Sequence, residues 1–106
     1  MTLASPVFNA DRVEINALLL KHRLPAAGSA VTQADAGFLL SFSVDVDKVT
    51  RRVAEIGARI LRGAKPADIP VEQADEFELA LNAKTARTLG LKIPESIRAR
   101  ATRIVQ

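Results

Sequence analysis

Cysteine, tryptophan and tyrosine are absent from the 106 residues, and histidine occurs once. Without cysteine there is no disulfide framework, no thiolate zinc site and no cysteine nucleophile. The aromatic residues are four phenylalanines, Phe8, Phe38, Phe42 and Phe77, so the core is expected to be mainly aliphatic. No apolar run approaches the roughly 20 residues that span a bilayer. The opening Met1-Thr2-Leu3-Ala4-Ser5-Pro6 has neither a basic start nor a long apolar stretch. It does not read as a signal peptide, and as written the chain would stay in the cytoplasm. What is present is globular in composition, with 48% hydrophobic and 25% charged residues and a net charge of +3. That excess permits an anionic partner without demanding one.

Catalytic chemistry is as sparse as the aromatics. A reaction near neutral pH needs a nucleophile, an acid or base, or a metal. The lone His22 stands between Lys21 and Arg23 with no acidic neighbour in sequence, which suits a solvated cation at a helix end better than a ligand or a base. Asp45 and Asp47 suit capping and dipole complementarity better than a divalent cation. The glycines form no phosphate-cradling cluster. Lys48, Arg51, Arg52, Arg59 and Arg62, with Arg98, Arg100 and Arg103, would make a phosphate-binding stripe. Asp45, Asp47 and Glu55 interleave with them and no exposed aromatic offers base stacking, so a solvated face is expected and no nucleic acid. The chain reads as a non-enzyme with no metal and no cofactor.

The pattern along the chain alternates helices with short strands. A first helix is expected from about Ala10 to His22, with Asn9 as its N-cap and Pro25 beyond its end. Its apolar surface (Val13, Ala17 and Leu20, widened by Ile15, Leu18 and Leu19) calls for cover on more than one side. Pro25 to Val31 reads as strand or turn. Thr32 to Ala36 reads as one helical turn capped by Thr32 and broken by Gly37. Phe38-Leu39-Leu40-Ser41-Phe42 reads as a buried strand, as in parallel sheets covered on both faces. A second helix begins at Asp45 and puts Val46, Val49, Val53, Ile56 and Ile60 on one face. Asp47–Arg51 and Glu55–Arg59 are its expected ion pairs, and Gly63 ends it. An extended linker over 63–75 holds Pro66 and Pro70. Phe77, Leu79 and Leu81 alternate with Glu76, Glu78 and Asn82, as in a strand with one buried face. Asn82 then caps a helix from Ala83 to Leu89, and Pro94 opens a last helix reaching about Arg103.

From Ile60 onward the residues are specific. Gly63-Ala64-Lys65-Pro66, Ile69-Pro70, Val71-Glu72-Gln73, Phe77-Glu78-Leu79, Asn82, Lys84-Thr85-Ala86, Leu89-Gly90-Leu91 and Ile93-Pro94 follow one another in order. This run resembles the C-terminal end of the extracytoplasmic solute-binding proteins of ABC transporters, a family with tryptophan- and tyrosine-binding members. Upstream, Arg51-Arg52 with Ala54-Glu55, Lys21 to Pro25, and Pro6 to Arg12 continue the likeness over nearly the whole chain. The family's GGLMSYG loop stands here as Gly37 to Ser43, with Phe38, Phe42 and Ser43 replacing glycine, tyrosine and glycine.

The resemblance implies an α/β fold of the periplasmic-binding-protein kind. Residues 1–106 would form one partial domain, a short and mostly parallel sheet with flanking helices, matching the final third of a two-lobed protein. It implies closure on a small-molecule solute, amino acids included, delivery to a membrane permease, and a periplasmic location. In open α/β sheets ligands sit beyond the carboxyl ends of the strands, so the expected ligand contacts are Ser5, Asn9, Ser41, Phe42 and Ser43. A second reading is a stand-alone module that binds no ligand and forms a homo-oligomer through exposed strands and apolar patches.

Overall fold

The computed structural model describes residues 4–106, so the expectation that Met1–Leu3 belong to no leader lies outside the described residues. The chain falls into two compact units. The first holds the residues up to Ser43 together with Glu78–Gln106, and the second is Val44–Phe77.

Four strands form one sheet in the order β1-β2-β3-β4. They are β1 (Ala27–Gly28), β2 (Leu40–Val44), β3 (Phe77–Asn82) and β4 (Arg103–Val105). β1 runs parallel to β2, with Ala27 opposite Leu40 and Gly28 opposite Ser41. β4 runs parallel to β3, with Ala80, Leu81 and Asn82 opposite Arg103, Ile104 and Val105. Between β2 and β3, Asn82 N donates to Leu39 O and Asp45 N donates to Glu76 O. Positions rise along one strand as they fall along the other, so this middle pairing is antiparallel. The sheet is thus mostly parallel, as expected.

In the first unit, the single helix expected from Ala10 is two: α1 (Pro6–Ala10) and α2 (Arg12–Lys21). The break is at Asp11, with φ −93° and ψ 15°. Proline is tolerated in a first helical turn, where its missing N–H has no partner to lose, and Pro6 therefore starts a helix that capping logic placed four residues later. Asn9 is inside α1 and caps nothing. Neither helix contains a buried residue: Ile15, Leu19 and Leu20 are half-buried while Val13, Ala17 and Leu18 are exposed, so the wide apolar surface is covered on one side rather than on several.

α3 (Val31–Ala36) begins one residue before the expected turn, and Thr32 is not its cap. Gln33 does that work from inside the helix: its Oε1 accepts from Ser29 N at 2.7 Å and Ala30 N at 3.2 Å. A β-carbon at Gly28 would lie 2.5 Å from that same oxygen, so only glycine fits there. Gly37 ends α3 at φ 122°, a conformation open to glycine.

The core lies in this unit and is built from small side chains. Phe38 and Leu81 are its large members, with Ala34, Ala80, Ala83 and Ala86 around them. Four polar residues, Gln33, Ser41, Asn82 and Thr85, are buried with them. Asn82 caps α5 (Ala83–Leu89), as expected, by accepting from Thr85 N at 2.9 Å. Its amide also donates to Ala34 O at 2.8 Å, and the Thr85 hydroxyl donates to Gly37 O at 2.7 Å. These bonds clasp α5 to α3. Asn82 was expected on the exposed side of its strand, yet the last three residues of β3 are all buried. The expected single buried face is absent: Phe77 is exposed and Glu78 and Leu79 are half-buried, whereas Ala80, Leu81 and Asn82 are buried on both faces of the strand. The last helix is shorter than expected: α6 spans Glu95–Arg100, and Arg103 already belongs to β4.

In the second unit, α4 (Val46–Leu61) is capped by Asp45, whose carboxylate accepts from Lys48 N at 3.1 Å. Glu55 pairs with Arg52 at 2.8 Å, one turn back, rather than with Arg59 as expected. The linker is extended at its ends, and Pro66–Asp68 make one 3-10 turn between its prolines.

Candidate functional site

Each unit carries a cleft among its described residues. The larger, about 620 Å³, lies in the second unit between α4 and residues 72–76. Val49, Val53 and Ile56 supply its apolar lining. Its charged rim is occupied internally. Arg52 grips Glu72 with two nitrogens, Nε to Oε2 at 2.7 Å and Nη2 to Oε1, and also reaches Glu55; Lys48 pairs with Glu76. The bonds from Glu72, then from Glu55, hold the Arg52 guanidinium above its ordinary range. The bond from Arg52 holds the Glu72 carboxylate below its own. A depressed carboxylate supports the fold above its unfolded value and loses that support as pH falls through the folded one. The pair therefore favours residues 72–76 lying against α4 at neutral pH, and that contribution weakens as pH falls and Glu72 is protonated. A charged solute would have to break these pairs to enter, and none of the sequence-predicted contacts lies in this cleft.

The smaller cleft, about 240 Å³, lies in the first unit and is lined by Arg12 and Val13 of α2 with Thr32, Asp35 and Ala36 of α3. One predicted residue meets it. The Asn9 carboxamide oxygen accepts from the Thr32 hydroxyl at 2.6 Å, and the Asn9 carbonyl accepts from Arg12 Nη1 at 2.8 Å. Asp35 is joined to Arg103 at 3.1 Å. A guanidinium and a carboxylate thus flank an apolar patch of Val13 and Ala36. That arrangement can take a small zwitterion, its carboxylate toward Arg12, where planar N–H donors match two oxygens. Thr32 lies just beyond the carboxyl end of β1, where open α/β sheets bind ligands.

The other predicted residues are placed apart from this cluster. Ser5 precedes α1, and its carbonyl accepts from Asn9 N at 3.1 Å. Ser41 and Ser43 share one face of β2 while Phe42, 53% exposed, points to the other. The buried continuous strand expected over Phe38–Phe42 is therefore offset: Phe38 is buried before the strand begins, and Phe42 stands open. The Ser41 and Ser43 hydroxyls are buried and make no hydrogen bond among the described residues, so nothing there ties them to Asn9. Thr32 escaped the sequence reading because it had a capping role to fill, and Arg12 because it entered only as part of the Pro6 to Arg12 likeness. The visible signal was the closeness of Arg12 to Asn9, three residues on; nothing in the sequence pointed to Thr32. Among the described residues no group of histidine, aspartate and glutamate is arranged to hold a metal.

The unpartnered hydroxyl of Ser41 carries a prediction. A buried polar group without a partner forfeits its hydration for nothing, at a cost of about 1–3 kcal/mol. Ser41→Ala is therefore expected to raise stability by about 1 kcal/mol, read by urea unfolding. A loss of stability would mean that the hydroxyl is satisfied in solution.

The backbone has counterparts among known proteins. Over 97% of the chain it follows a Streptococcus pneumoniae ABC domain solved in complex with L-Trp, with a TM-score of 0.89 and 25% identity. A conserved domain protein of Vibrio cholerae O1 biovar El Tor shares the fold over 91% of the chain, with a TM-score of 0.74 and 23% identity. A tyrosine-binding protein of Clostridioides difficile strain R20291 is 26% identical over 72 residues, 68% of this chain. The chain spans only part of each: 35% of the first, 41% of the second and 21% of the third. The family model described as ABC transporter substrate binding protein matches residues 12–105. With that match over nearly the whole chain, and the same open α/β architecture in its structural counterparts, the chain belongs to the family of ABC transporter substrate binding proteins.

Proposed function

We propose that this chain is the C-terminal portion of a solute-binding protein that takes an amino acid, aromatic ones included, and passes it to a membrane permease outside the cytoplasm. The observation that carries the reading is the backbone likeness to a domain holding L-Trp, over almost the full chain. The connectivity agrees with it. The chain leaves its first unit at the end of β2 and returns at the start of β3, as a polypeptide shared between two lobes must. A scaffold role for residues 60–94 would also account for the scarcity of chemistry there, in keeping with a binder rather than an enzyme. Asn9, Arg12 and Thr32 would take the solute's polar end, and Ser5, which precedes α1, remains a candidate apart from them. Ser41, Phe42 and Ser43 remain candidates on β2.

A single unit cannot enclose a ligand as two closing lobes do, and buried contact is what tight small-molecule sites depend on. The isolated 106-residue chain is therefore expected to bind L-tryptophan or L-tyrosine with a Kd on the order of 1 mM or weaker. Amide NMR titration is the measurement. The expected result is shifts confined to Asn9, Arg12, Thr32 and their neighbours. No shift at saturating amino acid would refute the site, and a low-micromolar Kd would refute the claim that this chain is an incomplete binder.

A further inference from the structure

The smaller cleft offers a ligand charges of both signs, and they are not equally free. Asp35 on α3 is already held by Arg103 of β4, Nη2 to Oδ1 at 3.1 Å. Arg12 makes one hydrogen bond, from Nη1 to the neutral Asn9 carbonyl, and no ion pair among the described residues. A guanidinium carries a fork of N–H donors, and most of those on Arg12 remain for a ligand. The bond between Thr32 and Asn9 works in the same direction. The Thr32 hydroxyl commits its proton to the Asn9 carboxamide oxygen at 2.6 Å. The Asn9 amide nitrogen then donates to nothing among the described residues. The uncommitted groups are thus mainly donors, on Arg12 and Asn9. The acceptors that remain are the Thr32 hydroxyl oxygen and a carboxylate shared with a cation of the same chain.

We propose that this cleft recognises the carboxylate of its solute and not the ammonium group, and that Arg103 sets the preference by occupying Asp35. The proposal rests on the reading of the cleft as the solute's polar subsite, and adds which end of an amino acid that subsite takes. A carboxylate arriving at Arg12 meets a planar fork of N–H groups with no anion to displace, and two parallel N–H···O bonds can form. An ammonium group arriving at Asp35 must share that carboxylate with a guanidinium, and the approach of two like charges removes part of what the new bond gains. Arg103 does not line the cleft and acts through Asp35, as a positioning residue. The pair between them is exposed on both sides, and such pairs contribute little to folding. Arg103 therefore bears on the choice of ligand more than on stability. The solute class is a monocarboxylate with an apolar body, set beside Val13 and Ala36, and an apolar amino acid is one example of it.

Amide NMR titration of the 106-residue chain with three ligands of one ring system tests this. They are L-tryptophan, indole-3-propionate, which lacks the ammonium group, and tryptamine, which lacks the carboxylate. Concentrations up to about 20 mM cover an expected Kd of about 1 mM. Indole-3-propionate should shift the same amides as L-tryptophan and bind within about threefold of it. Tryptamine should bind at least about tenfold more weakly than either, having no partner for the Arg12 fork. That comparison needs no variant. Arg103→Gln, which frees Asp35, should strengthen tryptamine about threefold, and Arg103→Lys, which keeps a cation there, should leave it unchanged. Arg12→Gln should weaken indole-3-propionate about tenfold. Tryptamine binding as tightly as indole-3-propionate overturns the proposal while the subsite stands. So does L-tryptophan binding more than about tenfold tighter than indole-3-propionate, since the ammonium group is then recognised. Tryptamine indifferent to Arg103→Gln overturns the role of Arg103. No shift from any of the three overturns the reading of the cleft itself, and the proposal with it.

Discussion

Replacing Phe38 by alanine is expected to lower the unfolding free energy by about 3–5 kcal/mol, against less than about 1 kcal/mol for Phe42→Ala. The two phenylalanines are four residues apart and look alike in sequence. Phe38 is 1% exposed, and its N–H donates to Gln33 O at 3.0 Å, holding it against the end of α3. Around it the core is mostly alanine, which cannot move in to refill a lost ring. Deleting the ring therefore removes its transfer free energy and leaves a cavity, and the two costs add. A domain of this size has in total about 5–15 kcal/mol of stability, so Phe38→Ala should be largely unfolded at modest urea concentrations. Phe42 is half in solvent already and has little to lose. Urea unfolding followed by circular dichroism gives both values, and equal costs for the two variants would contradict the burial that separates them.

Asn82→Ala is expected to cost about 2–4 kcal/mol, large for a single polar side chain. Two losses combine. The cap on Thr85 N goes, which in helices generally costs about 1 kcal/mol. The Ala34 carbonyl also loses its donor at a place where Asn82 is 4% exposed and water cannot readily replace it, at about 1–3 kcal/mol more. Asn82→Asp separates the two contributions. It keeps an acceptor for Thr85 N but has no donor for Ala34 O, and at neutral pH it sets a buried carboxylate against a carbonyl. It should therefore be no more stable than Asn82→Ala near pH 7 and should recover in acid, where a protonated carboxyl can donate. Amide exchange at Thr85 reads the cap directly, and an unchanged exchange rate in Asn82→Ala would show that the cap is dispensable.

These two residues also show how much of the site and fold was legible beforehand. Asn82 as a helix cap was readable, because a cap depends on four consecutive residues and on nothing else. Its burial and its grip on Ala34 were not, since Ala34 is 48 positions away. Asn9 was readable as a residue of interest, but its partners are Arg12 and Thr32, and the second of these comes from another helix. Phe38 and Phe42 were assigned to one buried strand because an apolar run carries no sign of where the strand begins. β4 is not legible, and the last helix is expected to run on to about Arg103, because Arg103-Ile104-Val105 is too short for an alternating pattern to show.

By itself the sequence determined what is local and what is absent: the caps at Asp45 and Asn82, the amphipathic period of α4, the stop at Gly37, the lack of a thiol, and the family likeness carried by Ile60 to Pro94. Tertiary structure alone decided which side chains are covered. It split the first helix at Asp11, buried Asn82 and Thr85, opened Phe42 and Leu61 to solvent, and brought Asn9 to Thr32. The physical reason is range. Backbone hydrogen bonds, capping and helical period act over a few residues and are written in their order, whereas burial is fixed by whatever chain returns from far away to lie on top. Along α4 residues 72–76 return over Val49 and Ile56, while Val46 and Leu61 of the same amphipathic helix are left open among the described residues.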